Sequence, residues 1–218
     1  MFLYVDNDVV IKLAEYELLL SLYDIVTMLG HNIHVLESLP YVVGVNNPDR
    51  ANKIFTSASS LEQVRQFLSM VQPARIMRAS TLQIINSIDE PNLDEGELTL
   101  IGCAIESAEP GFCSGDKRAI RAVNKLVSTQ TLTFHHCIII ILEHTLKILI
   151  NAMDIGDVFE RILRKPDVDK AVKLCFQGAT TDTVVHVISA LESYINDLKK
   201  KCPSLTFLEL DSFGCRYN

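Results

Sequence analysis

Apolar residues along the first 150 positions fall into two alternating kinds of segment, short unbroken runs and longer stripes at helical spacing. Phe2–Val5 is a run ending at Asp6, the pattern of a buried strand. Residues 9–29 place Val10, Leu13, Ala14, Leu18, Leu22, Ile25 and Leu29 at roughly helical intervals, with Gly30 as terminator. Two β-rich pieces, Ile33–Leu36 and Tyr41–Val43, flank Pro40, and the polar stretch 46–60 predicts a surface loop with at most one short helix. A helix over 61–71 closes before Pro73, and Leu82–Ile88 runs into the turn-like DEPN. A helix then starts near Asp94 and stops at Glu109-Pro110-Gly111. Phe112–Ser114 reads as a strand, the segment after Asp116 as a helix to about Val127, Thr131–Phe134 as a strand, and 138–152 as a very apolar helix.

Strands alternating with helices predict an α/β domain with a mainly parallel sheet flanked by helices over residues 1–152. From 153 to 218 strand signals fade. Helices are expected around Pro166, and a long amphipathic one over 181–201 carries Val184, Ile188, Leu191, Ile195 and Leu198 on one stripe. The expectation is a helical C-terminal extension whose stripe packs on the domain or forms a dimer contact.

Composition narrows the class. At 48% hydrophobic the chain is too apolar to be disordered. Its six cysteines form no CxxC pair, which argues against a disulfide scaffold and for a reducing compartment. The longest apolar stretch, Cys137–Leu142, is far shorter than the ~20 residues that span a bilayer, and the acidic start resembles no signal peptide. A cytoplasmic, non-membrane protein is expected. The net charge of −7 is uneven: residues 1–116 hold 6 Lys/Arg against 16 Asp/Glu, residues 117–218 hold 14 against 11. An acidic half beside a mildly basic one is compatible with a carboxylate site flanked by phosphate-contacting cations.

The acids sit where an open α/β sheet binds ligands, outside the carboxyl ends of its strands. Asp6 ends the first strand with Asp8 two residues on; Asp94 and Glu97 open a helix in LDEGELTLIGCA; Asp116 follows the strand in FCSGDKRAI. Carboxylates gathered on one rim repel one another unless a cation intervenes, and hard oxygen donors suit Mg²⁺ or Mn²⁺. Each acid also has a structural explanation. Asp94 and Glu97 have capping-box spacing, Asp116 is placed to cap its helix, and Asp8 can complement a helix dipole. Asp6 is the hardest to explain that way, because a carboxylate ending an apolar strand is partly desolvated.

In order, VDNDVVIKLA, LDEGELTLIGCA and FCSGDKRAIRA resemble the three short motifs of PIN-domain nucleases, across roughly residues 1–150. The resemblance implies a metal-dependent endoribonuclease with Asp6, Glu97 and Asp116 as the acidic site. Asp8 stands where the family usually has Asn, Ser or Thr, and Asp8 or Asp94 is the candidate fourth acid. The resemblance also implies dimerisation in many members, and toxins restrained by an antitoxin protein in several. The chain departs from the pattern twice more. A further Glu, common on a helix between the first two motifs, has no counterpart beyond Glu62, and Gly115 stands where a second Asp is frequent.

Two other readings stay open. Asp6-Asn7-Asp8 also fits the Asp-x-Asp motif of haloacid dehalogenase-like phosphatases, with Asp6 as nucleophile, although Ile120 and Arg121 stand where that scheme needs a later acid. A PIN-like domain that binds RNA or protein without cutting is the other. Lys117, Arg118, Arg121 and Lys125, beside Asp116, are candidate backbone contacts or a solvated helix face, and Arg161, Arg164, Lys165, Lys170 and Lys173 are candidates to extend them. His135, His136, Cys137 and His144, like His31 and His34, lack zinc-site spacing. There is no GxxxxGK[ST], GxGxxG or GxSxG, which removes the standard nucleotide-binding and serine-hydrolase loops.

Overall fold

The computed structural model describes residues 1–134 and 136–209. Its strands are short apolar runs, β1 (Phe2–Val5), β2 (Asn32–Leu36), β3 (Gln72–Ala74), β4 (Pro110–Ser114), β5 (Ile138–Ile141) and β6 (Thr206–Phe207). They form one all-parallel sheet in the order β3-β2-β1-β4-β5-β6. Parallel strands need crossovers, and crossovers cover both faces with helices. The expected α/β architecture is therefore the observed one.

Alternation along the strands divides the core in two. Leu3, Val5, Cys113 and Ile140 face one side, packed by α1 (Asn7–Glu15), α2 (Leu19–Met28), α5 (Ala58–Met70), α9 (Leu142–Ala152), α10 (Ile155–Arg164) and α11 (Lys170–Phe176). Tyr4, Phe112, Ile139 and Ile141 face the other, packed by α6 (Ala79–Asn86), α7 (Glu95–Glu106) and α8 (Lys117–Ser128). The long α12 (Val184–Lys201) contributes Val187 and Leu191 to the first core and Ile195 and Leu198 to the second, so it spans both sides of the sheet. The segment after residue 153 is helical through Lys201 and then supplies β6, an edge strand with no sequence signal. Its last residues, 210–218, lie outside the described ones.

Several local expectations need correction. The expected helix over 9–29 is broken at Tyr16–Leu18, where Glu17 takes a left-handed φ of 58°. Its carbonyl accepts from Gln63 Nε2 at 3.1 Å and Arg161 Nη1 at 2.6 Å, long-range bonds that hold the break open. Tyr41–Val43 is not a strand: α3 (Leu39–Val42) starts with Pro40 in its first turn. The polar stretch 46–60 is mostly helical, because its turn-like residues are caps. Asn47 caps α4 (Pro48–Ile54) through Arg50 N, and Ser57 caps α5 through Ser60 N. Pro73 lies inside β3, an edge strand where its missing donor is tolerated. Thr131–Phe134 forms no strand. The strand is Ile138–Ile141 instead, and the expected apolar helix starts only at Leu142. Four consecutive β-branched residues favour an extended chain, and a fully buried run has no periodicity to distinguish strand from helix.

Candidate functional site

After β1 the chain builds outward through β2 and β3, then returns to the opposite side of β1 as β4. That reversal leaves a crevice at the carboxyl ends of β1 and β4. A cleft of about 850 Å³ opens there, and the five candidate acids, Asp6, Asp8, Asp94, Glu97 and Asp116, line it together with Glu95.

Each is placed by its own element. Asp6 extends the pairing of β1 with β4, its N–H donating to Cys113 O at 2.9 Å. Its carboxylate is 8% exposed and accepts from Ser114 Oγ at 3.4 Å. Burial, followed by repulsion from Asp8, pushes the Asp6 carboxyl up to about 6. Asp94 and Glu97 close a full capping box at the start of α7: Glu97 N donates to Asp94 Oδ1 at 2.7 Å, and Asp94 N to Glu97 Oε2 at 2.9 Å. Capping and cleft-lining are thus not alternatives here. Burial pushes Glu97 up to about 7; the Asp94 backbone N–H opposes this, and Asp94, Asp6 and Asp116 add repulsion.

Asp116 caps α8. It accepts from Arg118 N at 2.7 Å and from the Arg118 guanidinium at 3.3 and 2.9 Å. Burial raises its pKa, but the Arg118 bonds more than reverse this and hold it below the ordinary range. Asp8 and Asp169 both pair with Lys12 at 2.8 Å, which ties the turn before α11 to the cleft. The Lys12–Asp8 pair is readable as an i,i+4 spacing; the partnership with Asp169 is not. A Cβ at Gly115 would stand 2.1 Å from Asp8 Oδ2. The space an aspartate side chain at 115 needs is therefore filled by the Asp8 carboxylate.

The other candidates divide. Arg118, Arg121 and Lys125 line a second cavity of about 320 Å³, which shares Arg118 with the cleft; Lys125 also pairs with Glu90 at 2.8 Å. Lys117 turns away, bound to the buried Glu143 with its ammonium over the Tyr194 ring, and is committed to joining α8, α9 and α12. Glu62 is exposed on α5, beside Arg65 and Gln66. His135 lies outside the described residues. His144 is buried, accepts from Ile141 N at 3.2 Å, and is driven by burial down to about 3.

Reasoning from sequence missed Ser114, which orients Asp6 and accepts from Asp116 N at 3.1 Å, and Asn7. Asn7 Oδ1 is buried with no hydrogen-bond partner among the described residues, in the same cleft. Carboxylate oxygens and one orphaned amide oxygen are a hard donor set of the kind that holds Mg²⁺ or Mn²⁺. The donors share a cleft without closing a cage: among the described residues no three His, Cys, Asp or Glu form a preassembled metal group.

No helix among the described residues is long and apolar enough to cross a membrane. No protein-family model, curated protein or solved structure matches the chain.

Proposed function

We propose that this chain is a metal-dependent endoribonuclease of the PIN-domain type, cutting phosphodiesters at the cleft between the ends of β1 and β4. The observation that carries the reading is convergence: acids from three motifs separated by about a hundred residues line one cleft, and two of them, Asp6 and Glu97, are buried with raised pKa values. Such a cluster is costly for stability, and costs of this kind concentrate at functional sites. A bound Mg²⁺ or Mn²⁺ supplies Lewis acidity toward a phosphoryl oxygen and a hydroxide nucleophile near neutral pH.

The chain's own groups supply the rest. Asp6 and Asp116, from adjacent strands, flank the scissile position, with Glu97 on the wall formed by the start of α7. Asp8 stands where Gly115 leaves room and serves as the further acid. Ser114 holds the orientation of Asp6. Arg118, Arg121 and Lys125 continue from the cleft as contacts for the nucleic-acid backbone, which position without reading sequence.

The test is cleavage of a single-stranded RNA with Mn²⁺, with EDTA, and by Asp6→Asn. Cutting that needs the metal and is lost in the variant supports the reading. Equal rates in Asp6→Asn mean the site is wrong. RNA that binds but is never cut makes the chain a binding domain.

A further inference from the structure

Beside the cleft lies a pocket of about 600 Å³ that shares Asp8, Ile11 and Lys12 with it and is lined as well by the turn between α10 and α11. This volume lies within the range of small-molecule sites. Ile11, Ile54, Pro166 and Val168 supply apolar surface to a lining whose other residues are polar or charged.

The cations of this pocket are largely engaged. Lys12 is shared between Asp8 and Asp169 at 2.8 Å each, and Lys165 donates to Glu15 Oε2 at 2.9 Å and to Ser57 and Ser60 Oγ at 3.1 and 3.0 Å. Arg164, at the rim, is more than half exposed and paired with Glu160 on its own helix. A phosphate entering here would meet three carboxylates on the lining, Asp8, Glu15 and Asp167. The two lysines, Lys12 and Lys165, are largely buried in their ion pairs, whereas the paired Arg118 and Lys125 remain exposed. A flat, uncharged group fits better. It would rest against the aliphatic groups of the lining, with the exposed Arg164 guanidinium, a group that stacks on planar rings, within the same pocket.

We propose that this pocket receives the base of a nucleotide flanking the scissile phosphate in single-stranded RNA, with Arg164 stacking on it at the rim. The strand then has two unlike flanks. Backbone phosphates lie along Arg118, Arg121 and Lys125 on one side, and an unstacked base is buried between α1 and the α10–α11 turn on the other. A duplex cannot offer an unstacked base, so single strands are preferred. The inference rests on the nuclease reading of the cleft and adds a base-binding role for the C-terminal segment.

The test is an abasic scan. A fluorescein-labelled RNA hexamer and six versions, each lacking one base, are bound to the full chain in Ca²⁺ and cut in Mn²⁺. Stacking makes one position lose about tenfold or more in affinity when its base is removed. That penalty should shrink in Arg164→Ala and in Val168→Ala, which leave the acids untouched. Circular dichroism and thermal melting confirm that the two variants are folded. A penalty of equal size in both variants, or no penalty at any position while the RNA is still cut, overturns the base pocket and leaves the nuclease standing. If the wild type neither binds nor cuts the hexamer, both proposals fall together.

Discussion

Helix α1 carries a buried carboxylate at each end, and the two have opposite fates. Glu15, at the carboxyl end, accepts from Thr56 N at 2.7 Å, Thr56 Oγ1 at 2.5 Å and Lys165 Nζ at 2.9 Å. Burial alone pushes its pKa up, but these partners outweigh burial and hold it below the ordinary range. Asp6, at the amino end, is as deeply placed, yet among the described residues the side-chain donor it finds is a hydroxyl at 3.4 Å. That hydroxyl and the Asn7 backbone N–H do not offset burial, and the Asp6 pKa rises. Desolvation is common to both; the donors differ. Glu15 is a structural charge that holds α1 against the start of α5 and the end of α10. Asp6 is kept short of donors and beside other acids, which is unfavourable for folding and suited to a cation.

The comparison makes ordered predictions. Asp6→Asn and Glu97→Gln should each reduce Mn²⁺-dependent RNA cleavage by about a thousandfold, since a metal's charge stabilisation contributes several kcal/mol at the transition state. A residual rate within tenfold of wild type in single-turnover assays would mean the two ends of α1 do not differ in role.

Glu15→Gln should destabilise the fold by about 3 kcal/mol in urea unfolding, because it leaves Lys165 largely buried without its charge partner. Loss of under about 0.5 kcal/mol would show that the pair is no stronger than an exposed one.

Asp6→Asn should act in the other direction. Its pKa is higher folded than unfolded, so the folded state binds the proton more tightly and wild-type stability falls as pH rises from 3.8 toward about 6. Glu97 adds a fall between 4.5 and about 7. The variant should equal wild type below pH 4 and exceed it by up to about 2 kcal/mol at pH 7. Glu15 has a lowered pKa, so its contribution is present above its unfolded pKa and lost as pH falls through the folded one. Melting curves of wild type, Asp6→Asn and Glu15→Gln across pH 3–8 separate these trends; an Asp6→Asn advantage that grows toward low pH would contradict the assignment.

The smallest effect belongs to Gly115. Gly115→Ala drives a methyl group against Asp8 Oδ2 and should cost about 1 kcal/mol. Adding Asp8→Ala should recover most of it, a coupling readable as a double-mutant cycle. Additive losses would show that Asp8 does not hold that space.

The parallel α/β class was legible in the alternation of runs and stripes, as were the caps at Asp94 and Asp116 and the acids themselves. These are local properties: which residues tolerate burial, and which satisfy the orphan donors of a helix start. The mistakes arose where a local signal has two meanings. Asn47 and Ser57 read as loop residues and serve as caps. The isoleucines 138–141 read as part of a helix and form the strand beside β4.

Sequence by itself determined that acids would stand at the ends of two strands and the start of one helix. Only the tertiary structure decided that the three places are one. The strand order sets β1 against β4, and α7 supplies the wall of the crevice where the order reverses. Tertiary packing also decided which buried acids found donors. Thr56 and Lys165 reach Glu15 from 41 and 150 residues away, and separations of that size leave no periodicity to read.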